Sequence, residues 1–599
     1  MIPSDLFPRD TADLPSAQPP TVLRLRDGER LALEIAPVVK QIGGSGVRMI
    51  AYNGSIPGPT LLVAQGSEIT VDVTNHGDVE TTVHWHGLRL DNRFDGVPVD
   101  TQAPIEIAGA FSYRIRFPDA GFYWYHPHLR EDYAQEMGMY GTIIVEPADP
   151  GYWPRVDRQL AITLDDLLIE DGMIAPFDRS GPTHTAMGRF GNVLLVNGEE
   201  RLDERVALGE VVRLHLVNAA NTRLFNVAIP GAVMKLVGGD SGRYQRETIV
   251  EEVLLAPSER AIVDVRFERA GAIRFEHRTP DRVYELGTFA VQPRDQGFLE
   301  LRADPELMSI AAGLGADRER RPDKTLAFRS SMPLLYGAAA DASSDGGPRS
   351  WVCPMHPGVT ASEPSRCPTC GMKLVPAPRP DATTAPVPAP VAGDRPEPGA
   401  VVGLFACPMH PEVTGSGPTE CPICGMWLTP IVEPSVIAGR GALESEVDDD
   451  SPGGHDHASA DGLEWEDLMP EINRQTDSTN MVWCLTDIDT GAENHEIFWT
   501  FTVGEQVKIR LVNELESDHP MHHPFHIHGA GRFLILARDG KPDDNLVWKD
   551  TVLVPAGQTV DILLDVTNPG RWMAHCHIAE HIESGMMFSF DVLPRPKLQ

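Results

Sequence analysis

Long apolar runs are missing from this sequence, and positive charge is scarce. No run approaches the roughly 20 residues that a membrane-spanning helix needs, which argues against a membrane protein. The 51 Lys and Arg residues face 86 Asp and Glu residues, so the formal net charge is −35. Such a surface repels nucleic acid and anionic membranes and favours cations. We therefore expect neither nucleic acid nor a membrane as a partner.

The first 20 residues do not have the pattern of a secretory signal. Residues 1–20 contain no basic start followed by an apolar stretch, which is the pattern that such signals require. We expect a cytoplasmic location if the chain is complete. A periplasmic or extracellular location is expected if an upstream signal has been removed.

Cysteine is limited to eight residues, and their grouping does not favour disulfides. Six of them fall into two metal-like sets, and Cys576 lies between two histidines. The remaining one, Cys484, lies in the strand-like run MVWCL. We interpret it as a buried apolar residue rather than a reactive thiol. Cysteine usage therefore does not identify the redox compartment.

Short alternating runs of apolar and polar residues recur along the 599 residues, too many for a single hydrophobic core. Separated by Gly, Pro and Asn, such runs are typical of β-sandwich strands. Several of these strands end in Val-Asn or Val-Thr-Asn, at Asn75, Asn218, Asn513 and Asn568. We predict an all-β fold of three related sandwiches. The predicted boundaries are an N-terminal extension at 1–21 and sandwiches at 22–150, 151–295 and 463–599.

Between the second and third predicted sandwiches, the composition changes and an internal repeat appears. The repeats CPMHPGVTASEPSRCPTCGMKL and CPMHPEVTGSGPTECPICGMWL have matching cysteines 54 residues apart. We predict small modules at 351–376 and 405–431, with linkers at 296–350, 377–404 and 432–462. The strand-like run at 323–331 could open the third sandwich. The modules would then be inserted within that domain rather than before it.

Four short histidine motifs dominate the chemistry of the sequence. They are His84-Trp85-His86-Gly87, His126-Pro127-His128, His523-Pro524-Phe525-His526-Ile527-His528 and His575-Cys576-His577-Ile578-Ala579-Glu580-His581. Side chains two residues apart on a strand point to the same face, so each His-x-His pair can present two imidazoles to one site. The same alternation sends Cys576 to the face opposite its neighbours. One strand would therefore join two metal sites.

These residue types favour copper over other metals. A thiolate, two imidazoles and a weak thioether form the trigonal copper site of electron-transfer proteins. Cys576, His581 and Met586 supply three of these groups, and His523 is the natural second imidazole. Eight motif histidines remain, and an all-imidazole cluster of several coppers suits the four-electron reduction of dioxygen.

The alternative is that these histidines are scattered structural groups or zinc ligands. Ten of the 21 histidines fall in the four phased motifs, which argues against scatter. Five histidines outside the motifs are expected to have only hydrogen-bonding or surface roles: His76, His215, His277, His519 and His522.

The four motifs and their order resemble those of multicopper oxidases, specifically bacterial three-domain laccase-like enzymes. The resemblance covers about 22–295 and 463–595. It implies three cupredoxin-like Greek-key sandwiches and four copper ions per chain, with the cluster between the first and third sandwiches. By the same resemblance, the type 1 copper ligands are His523, Cys576, His581 and Met586. The type 2 ligands are His84 and His526, and the type 3 ligands are His86, His126, His128, His528, His575 and His577.

The resemblance also implies a course for electrons and protons. A small-molecule reductant would reduce the type 1 copper, nearer the surface, and electrons would pass through Cys576 and its flanking histidines to dioxygen. Asp95 resembles the carboxylate that assists proton delivery in related enzymes, although Asp-Gly is also a common turn signal. Several relatives carry a Glu where this chain has Ile582, followed by Glu583. Glu583, Glu131 and Glu136 are candidate substitutes, but we interpret each of them as a solvated surface acid.

Each inserted module offers three thiolates and one imidazole. The predicted ligands are Cys353, His356, Cys367 and Cys370 in the first module and Cys407, His410, Cys421 and Cys424 in the second. A closed set of this kind suits zinc, and it is also soft enough for Cu(I). Both modules resemble the small heavy-metal-binding domains of bacterial metal-efflux proteins. Copper capture, a structural zinc site and a redox pair remain as alternatives.

Two functions from different classes follow. The first is an oxidase of phenols and similar donors, with Cu(I) as a further donor because axial Met586 indicates a moderate potential. The second is a copper-resistance protein that acts mainly as a cuprous oxidase or sequesters copper. Expected partners are a small-molecule reductant, dioxygen and copper ions. A monomer suffices, since all the cluster histidines belong to one chain.

Overall fold

The structure of the protein is a computed structural model with two compact units. One unit contains residues 1–331 and 459–599, and the other contains 332–458. In the first unit the structure describes residues 6–293, 299–301, 303, 314–331 and 461–596. In the second it describes residues 332, 351–353, 358–362, 365–367, 373–376, 405–406, 414–415 and 429–430.

The first sandwich carries two of the histidine motifs on neighbouring strands. Its strands are β1 Val22–Arg24, β2 Arg30–Ile42, β3 Ser45–Tyr52, β4 Thr60–Ala64, β5 Glu68–Asn75, β6 His84–His86, β7 Ala110–Arg116, β8 Gly121–His126 and β9 Gly141–Glu146. One sheet has the order β1-β4-β9-β8-β6 and the other β3-β2-β5-β7. Pairing of β6 with β8 places His84 opposite His126.

The second sandwich holds none of the motifs. Its strands are β10 Arg158–Leu167, β11 Ile169–Glu170, β12 Met173–Ile174, β13 Val193–Val196, β14 Leu202–Ala207, β15 Val211–Asn218, β16 Phe225–Ala228, β17 Ala232–Gly239, β18 Gly242–Val250, β19 Glu252–Leu255, β20 Arg260–Phe267, β21 Gly271–Arg278 and β22 Val283–Gln292. The main sheets have the orders β13-β10-β15-β20-β17-β18 and β14-β22-β21-β16-β19. All of β15 is buried, because its outer face packs on the first sandwich. Val217 and Ile262 there share an apolar cluster with Phe122 and Trp124.

The inserted modules are built alike. The strand β23 Lys324–Ser331 precedes them, and their own strands are β24 Trp351–Val352, β25 Thr360–Ala361, β26 Val375–Pro376, β27 Phe405–Ala406, β28 Thr414–Gly415 and β29 Thr429–Pro430. In each module the first strand lies between the other two, in the orders β25-β24-β26 and β28-β27-β29. The repeated sequence therefore forms a repeated three-stranded unit.

The third sandwich includes β23, on the other side of the insert in sequence. Its further strands are β30 Val482–Asp487, β31 Thr500–Thr502, β32 Gln506–Asn513, β33 His523–Ile527, β34 Gly531–Arg538, β35 Lys541–Pro542, β36 Thr551–Val554, β37 Thr559–Val566, β38 Gly570–Cys576 and β39 Met587–Leu593. The sheets have the orders β30-β23-β32-β37-β34-β35 and β31-β39-β38-β33-β36. Because β23 pairs with both β30 and β32, the modules interrupt this sandwich.

The recurring asparagine has the same role in all three sandwiches. Asn75, Asn218 and Asn513 end β5, β15 and β32. Each side-chain amide donates to two backbone carbonyls, at 2.8 and 2.9 Å from Asn75, 2.7 and 2.9 Å from Asn218, and 2.7 and 3.0 Å from Asn513. Asn568 instead donates to Leu90 and Gly529. The shared capping role supports a relationship among the sandwiches.

Helices are short throughout the described part of the chain. They are α1 Glu131–Ala134, α2 Gly315–Glu319, α3 Pro470–Asn473 and α4 Ala579–Glu583, with 3-10 turns at Asn92–Phe94 and Asn494–Glu496. None of these described helices is long and apolar enough to cross a membrane. Mostly β-strand, the molecule has the cupredoxin-like architecture predicted from the sequence.

Candidate metal centres

Eight motif histidines converge where the first and third sandwiches meet. Their ligand atoms form three groups, two of which share His86, and within each group all atoms lie within 4.8 Å of one another. The groups are His84, His86 and His526; His86, His126 and His577; and His128, His528 and His575. The strands β6, β8, β33 and β38 supply most of these side chains. If His86 is assigned to the group of His126 and His577, one position with two histidines, His84 and His526, lies beside two positions with three histidines each.

His84 and His526 are held in the same way. The Nδ1 atom of His84 lies 2.7 Å from the backbone oxygen of Asp95, and Nδ1 of His526 lies 2.9 Å from that of Asp550. A carbonyl oxygen only accepts, so each Nδ1 is the protonated nitrogen. Both Nε2 atoms are buried and have no hydrogen-bond partner. They are therefore free to bind a metal.

In the group of His86, His126 and His577, one ring is turned the other way. Nε2 of His86 lies 3.0 Å from the carboxylate of Asp550, and its Nδ1 has no partner. His126 instead bonds through Nδ1 to the backbone oxygen of Pro127 at 2.8 Å and leaves Nε2 free. His86 would thus bind a metal through Nδ1 and His126 through Nε2.

The third group brings three Nε2 atoms together. Nε2 of His528 lies 3.2 Å from that of His128 and 3.1 Å from that of His575. The opposite nitrogens face acceptors: Nδ1 of His528 lies 2.8 Å from the Asp95 carboxylate and Nδ1 of His575 lies 2.8 Å from the Cys576 carbonyl. These second contacts orient the rings, as partners of metal-bound histidines generally do.

A separate group surrounds the buried thiol of Cys576. Its Sγ lies 3.4 Å from Nδ1 of His523 and 3.7 Å from Nδ1 of His581. Met586 is fully buried beside them and its backbone is bonded to both Cys576 and His581. The structure therefore brings together the four residues that the sequence pattern predicted for an electron-transfer copper.

Burial adapts these groups to metal binding. It lowers the pKa of His84 to about 3 and holds the pKa of His126, His523 and His577 well below the usual range. Neutral imidazoles with unpartnered nitrogens are ready ligands. Burial also raises the pKa of the Cys576 thiol, so binding of a cation would be needed to remove its proton. The residues present fit copper.

The candidate proton carriers differ in their burial and in their contacts with the motif histidines. Asp95 is buried, contacts both His84 and His528, and has a pKa that burial raises to about 6. Ile582 packs in an apolar cluster with Val97 and Met573. Glu583 is half-buried and accepts a hydrogen bond of 2.9 Å from the backbone N–H of Glu131.

The interpretation of Glu131 and Glu136 as solvated surface acids is wrong. They are only 1% and 3% exposed, because α1 is covered by α4 and by the second sandwich. Glu131 lies 3.0 Å from Nδ1 of His128, and Glu136 pairs with Arg189 at 3.0 Å. Helix packing across domains leaves no local pattern that could have revealed this burial.

The type 1 position is not more open to solvent than the cluster. His523, Cys576, His581 and Met586 are all buried, as are the cluster histidines, and the expectation that this position lies nearer the surface stays a prediction. A loop of the second sandwich, residues 183–188, bonds to residues 473–477 of the third and closes over this position. Trp483 lies beneath this loop, donates to Thr185 at 2.6 Å and stacks on His581 at 4.1 Å.

Several functional contacts were missed by the sequence analysis. Asp550 bonds to two motif histidines, Arg260 bonds to Asp550, and Trp483 covers His581. None of them belongs to a histidine motif, and a single sequence carries no signal that links positions hundreds of residues apart. Glu580 lies within the fourth motif, is buried, and has a pKa that burial raises to about 8.

The other predicted residues are the module ligands, Cys484 and the histidines outside the motifs. Among the module ligands, Cys353 and Cys367 are described and buried; His356, Cys370, Cys407, His410, Cys421 and Cys424 lie outside the described residues. Cys484 is half-buried rather than buried, since it contacts Glu493 at the sheet edge. His215, His277, His519 and His522 are buried and hydrogen-bonded, whereas His76 is exposed.

Comparisons with known families agree with this geometry. Residues 37–150 match one multicopper oxidase model and residues 469–596 match another. The two modules, at 350–377 and 404–431, each match the heavy metal binding domain.

Curated relatives include proteins with both copper-resistance and laccase names. Copper resistance protein A of Escherichia coli is 24% identical, over 93% of this chain and 92% of its own length. Laccase-3 of Oryza sativa is 24% identical, over 91% of this chain and 88% of its own. Multicopper oxidase MmcO of Mycobacterium tuberculosis is 30% identical, over 51% of this chain and 61% of its own.

Solved structures share the fold. A multicopper oxidase from Campylobacter jejuni, described as a metallo-oxidase, matches with a TM-score of 0.58 and 18% identity over 98% of this chain and 99% of that one. A laccase-like oxidase from Ochrobactrum matches with a TM-score of 0.59 and 20% identity over 97% of this chain and 100% of that one. With two oxidase models at the two ends that carry the histidine motifs, and full-length relatives of the same kind, this chain is a copper-dependent oxidoreductase of the multicopper oxidase family.

Proposed function

We propose that the protein is a laccase-like oxidase that couples one-electron oxidation of phenols or similar donors to the four-electron reduction of dioxygen to water. The observation that carries this proposal is the convergence of eight histidines beside a separate Cys576 group, joined through one strand. Copper bound at these positions supplies one-electron acceptance at the first site and the four-electron chemistry of dioxygen at the cluster.

The proposed ligands follow the free nitrogen of each ring. His84 and His526 would hold the type 2 copper, and His523, Cys576, His581 and Met586 the type 1 copper. The type 3 pair would be held by His86, His126 and His577 on one side and by His128, His528 and His575 on the other. Four coppers per chain are then expected, and a monomer suffices because one chain supplies every ligand.

Cys576 connects the two sites through the backbone. Its flanking residues His575 and His577 belong to different halves of the cluster, and Nδ1 of His575 donates to the Cys576 carbonyl at 2.8 Å. The thiol side chain points away from both imidazoles, as strand alternation requires. Few covalent bonds therefore separate the electron acceptor from the cluster.

Asp95 is the proposed proton carrier. Its Oδ2 accepts from Nδ1 of His528 at 2.8 Å, and its backbone oxygen accepts from His84. The second carboxylate oxygen is buried without a hydrogen-bond partner. Asp95 therefore adjoins both the type 2 and type 3 positions and can take part in a further hydrogen bond there.

On the other side, Glu583 and Glu131 are the proposed route. Ile582 offers no proton, and the half-buried Glu583 contacts the backbone of Glu131, whose carboxyl adjoins His128. Half-buried Glu583 on helix α4 and Glu131 beside the type 3 ligand His128 are thus neighbours.

A second candidate function, oxidation of Cu(I), is favoured by the cover of the type 1 position. Sδ of Met187 lies 3.1 Å from Nε2 of His519, and the His519 ring lies 6.1 Å from that of Trp483. A thioether and an imidazole suit Cu(I), and Trp483, which donates to Thr185 of the same loop, stacks on His581. The ratio of kcat/KM for Cu(I) to that for a simple phenol measures this preference, and a ratio far below one would contradict it.

We also propose that the two inserted modules bind metal ions. Three thiolates and an imidazole in each would bind Cu(I) or zinc, and the match to the heavy metal binding domain supports a metal there. Metal content of the full chain with Cys367→Ser, compared with the wild type, identifies the metal, and an unchanged content would contradict this assignment.

The proposed oxidase is tested with the copper-loaded full chain. We expect a blue absorption band and oxygen uptake with a simple phenol. Cys576→Ser should abolish both, because it removes the thiolate that creates the band and accepts the electron. Cys484→Ser, a half-buried cysteine of the same sandwich, is the control and should keep both. Copper binding without oxygen uptake in the wild type would contradict the oxidase and support sequestration.

A further inference from the structure

Asp550 holds two neighbouring cluster histidines at once. Its carboxylate lies 3.0 Å from Nε2 of His86, and its backbone oxygen lies 2.9 Å from Nδ1 of His526. The two rings stack with centroids 3.7 Å apart. Since carboxylate and carbonyl oxygens only accept here, opposite nitrogens of the two rings are left for metal. Asp550 therefore contacts both rings of this pair, and Oγ1 of Thr551 lies 3.2 Å from the same two nitrogens.

The carboxylate of Asp550 is in turn held by the second sandwich. Arg260 donates through Nη1 to Oδ1 and through Nη2 to Oδ2, both at 2.6 Å, so that the guanidinium grips the whole carboxylate. The same guanidinium donates to the backbone of Phe122 in the first sandwich and of Ser258 in its own. Arg260 thus joins all three sandwiches at the edge of the cluster, and its side chain is fully buried.

The His-Trp-His-Gly motif is adapted to this ion pair. Gly87 has φ +83°, and a Cβ there would lie 2.5 Å from Oδ2 of Asp550 and 2.6 Å from Nη2 of Arg260. A side chain at position 87 would displace the pair from the strand that carries His86. The glycine of the motif therefore fits the ion pair rather than a metal.

We propose that Arg260, in a sandwich that supplies no metal ligand, is a positioning residue for the copper cluster. Its bidentate hydrogen bonds hold the Asp550 carboxylate in place. This carboxylate accepts from Nε2 of His86, so that Nδ1 of His86 is left to bind copper. Without these hydrogen bonds, the His86 ring can flip and present Nε2 to the copper instead of Nδ1. Nε2 would then be displaced from the other two ligands of that copper. This inference rests on the proposed role of His86 as a copper ligand.

Arg213 and Asp264 provide a matched comparison within the same sandwich. They form a second buried, two-pronged pair, at 2.8 and 2.9 Å, and neither contacts a motif histidine. Lysine keeps the charge of arginine but cannot bind both carboxylate oxygens in the same fork. Arg260→Lys and Arg213→Lys therefore make the same chemical change with and without a connection to the cluster.

The experiment uses the full-length, copper-loaded protein and its Arg260→Lys, Asp550→Asn and Arg213→Lys variants. Copper affinity is measured by competition with a chelator, and the type 2 electron paramagnetic resonance signal and the type 3 near-ultraviolet absorption report the cluster separately. The blue type 1 band is the internal reference. Asp550→Asn preserves the shape of the side chain, so it tests the proposal even if Arg260→Lys does not fold.

We expect Arg260→Lys and Asp550→Asn to lower the affinity of the cluster for copper about 10- to 100-fold, the usual effect of losing a group that orients a ligand. The blue band should persist, and Arg213→Lys should keep the wild-type affinity. Unchanged cluster affinity in Arg260→Lys and Asp550→Asn, or an equal loss in Arg213→Lys, would overturn the proposal. If the wild type itself bound no cluster copper, the proposed oxidase function would fail, and the inference with it.

Discussion

The two metal positions are built in different ways. His523, Cys576, His581 and Met586 all come from the third sandwich, within one stretch of sequence. The cluster histidines come from the first and third sandwiches, and their second contacts also reach the second sandwich through Arg260. The type 1 position is therefore internal to one domain, whereas the cluster depends on how three domains dock.

This difference indicates which changes each position tolerates. A perturbation at the contact between domains moves cluster ligands relative to one another, because no single sandwich holds them all. The same perturbation leaves the strands β33 and β38 paired, and with them the cysteine group. Loss of the cluster with retention of the blue band is the expected signature of damage between domains.

The largest expected effect comes from adding a single methyl group at Gly87, which should affect the cluster but not the type 1 position. Gly87→Ala should remove most cluster copper and oxygen uptake while it keeps the blue band, because the added Cβ would lie 2.5 Å from Asp550. Its left-handed backbone costs about 1–2 kcal/mol of folding free energy, and displacement of the packed ion pair adds about 1–3 kcal/mol. Copper stoichiometry and thermal unfolding measure the two effects.

Gly540→Ala is the control for this substitution. Gly540 has φ +73° with nothing near its would-be Cβ, so only the backbone cost is expected. Equal copper loss in both variants, or a full cluster in Gly87→Ala, would mean that the contact between domains does not support the cluster.

An intermediate effect is expected from Asp95→Asn, which should lower turnover without loss of copper at either position. Asp95→Asn keeps the shape of the side chain that contacts His528 but removes its ability to carry a proton. We expect kcat with a saturating donor to fall about 100-fold or more, with normal copper content. A changed solvent isotope effect on kcat would distinguish proton delivery from a structural role.

Asp91→Asn makes the same change in charge at an exposed position nearby and should leave kcat unaltered. Normal turnover in Asp95→Asn, or turnover that falls only in step with copper content, would exclude the proton-carrying role.

The smallest effect concerns only the type 1 side. Met187→Leu should lower kcat/KM for Cu(I) about tenfold, equivalent to about 1.4 kcal/mol, and leave that for a phenol nearly unchanged. Met234→Leu, at another buried methionine of the second sandwich, should alter neither value. Equal losses for both donors in Met187→Leu would show that Met187 supports the fold rather than Cu(I).

Much of the candidate site could be predicted from local patterns. The His-x-His pairs lie on β6, at the end of β8, on β33 and onwards, and on β38, where alternation sends Cys576 and its neighbours to opposite faces. Asn75, Asn218 and Asn513 cap equivalent strands, as their recurrence indicated. These features depend on the two-residue period of a strand, which is a property of consecutive residues.

Burial and second contacts could not be predicted in this way. Glu131 looks like a surface acid in sequence, yet α4 and the second sandwich enclose its helix. The cover over the type 1 position joins residues 183–188 to residues 473–477, and no period in the sequence relates two such loops. Their contacts depend on how complete domains pack.

By itself, the sequence determined the ligand types, their phase on the strands and therefore copper as the metal. Tertiary structure alone decided which nitrogen each ring turns inward, since that choice depends on acceptors such as Asp550 and Asp95 from distant parts of the chain. It also decided that Arg260 supports the cluster and that the type 1 position is covered. The physical reason is the separation in sequence of the residues involved. Side-chain alternation relates consecutive residues, whereas ring orientation depends on hydrogen bonds between residues of different domains.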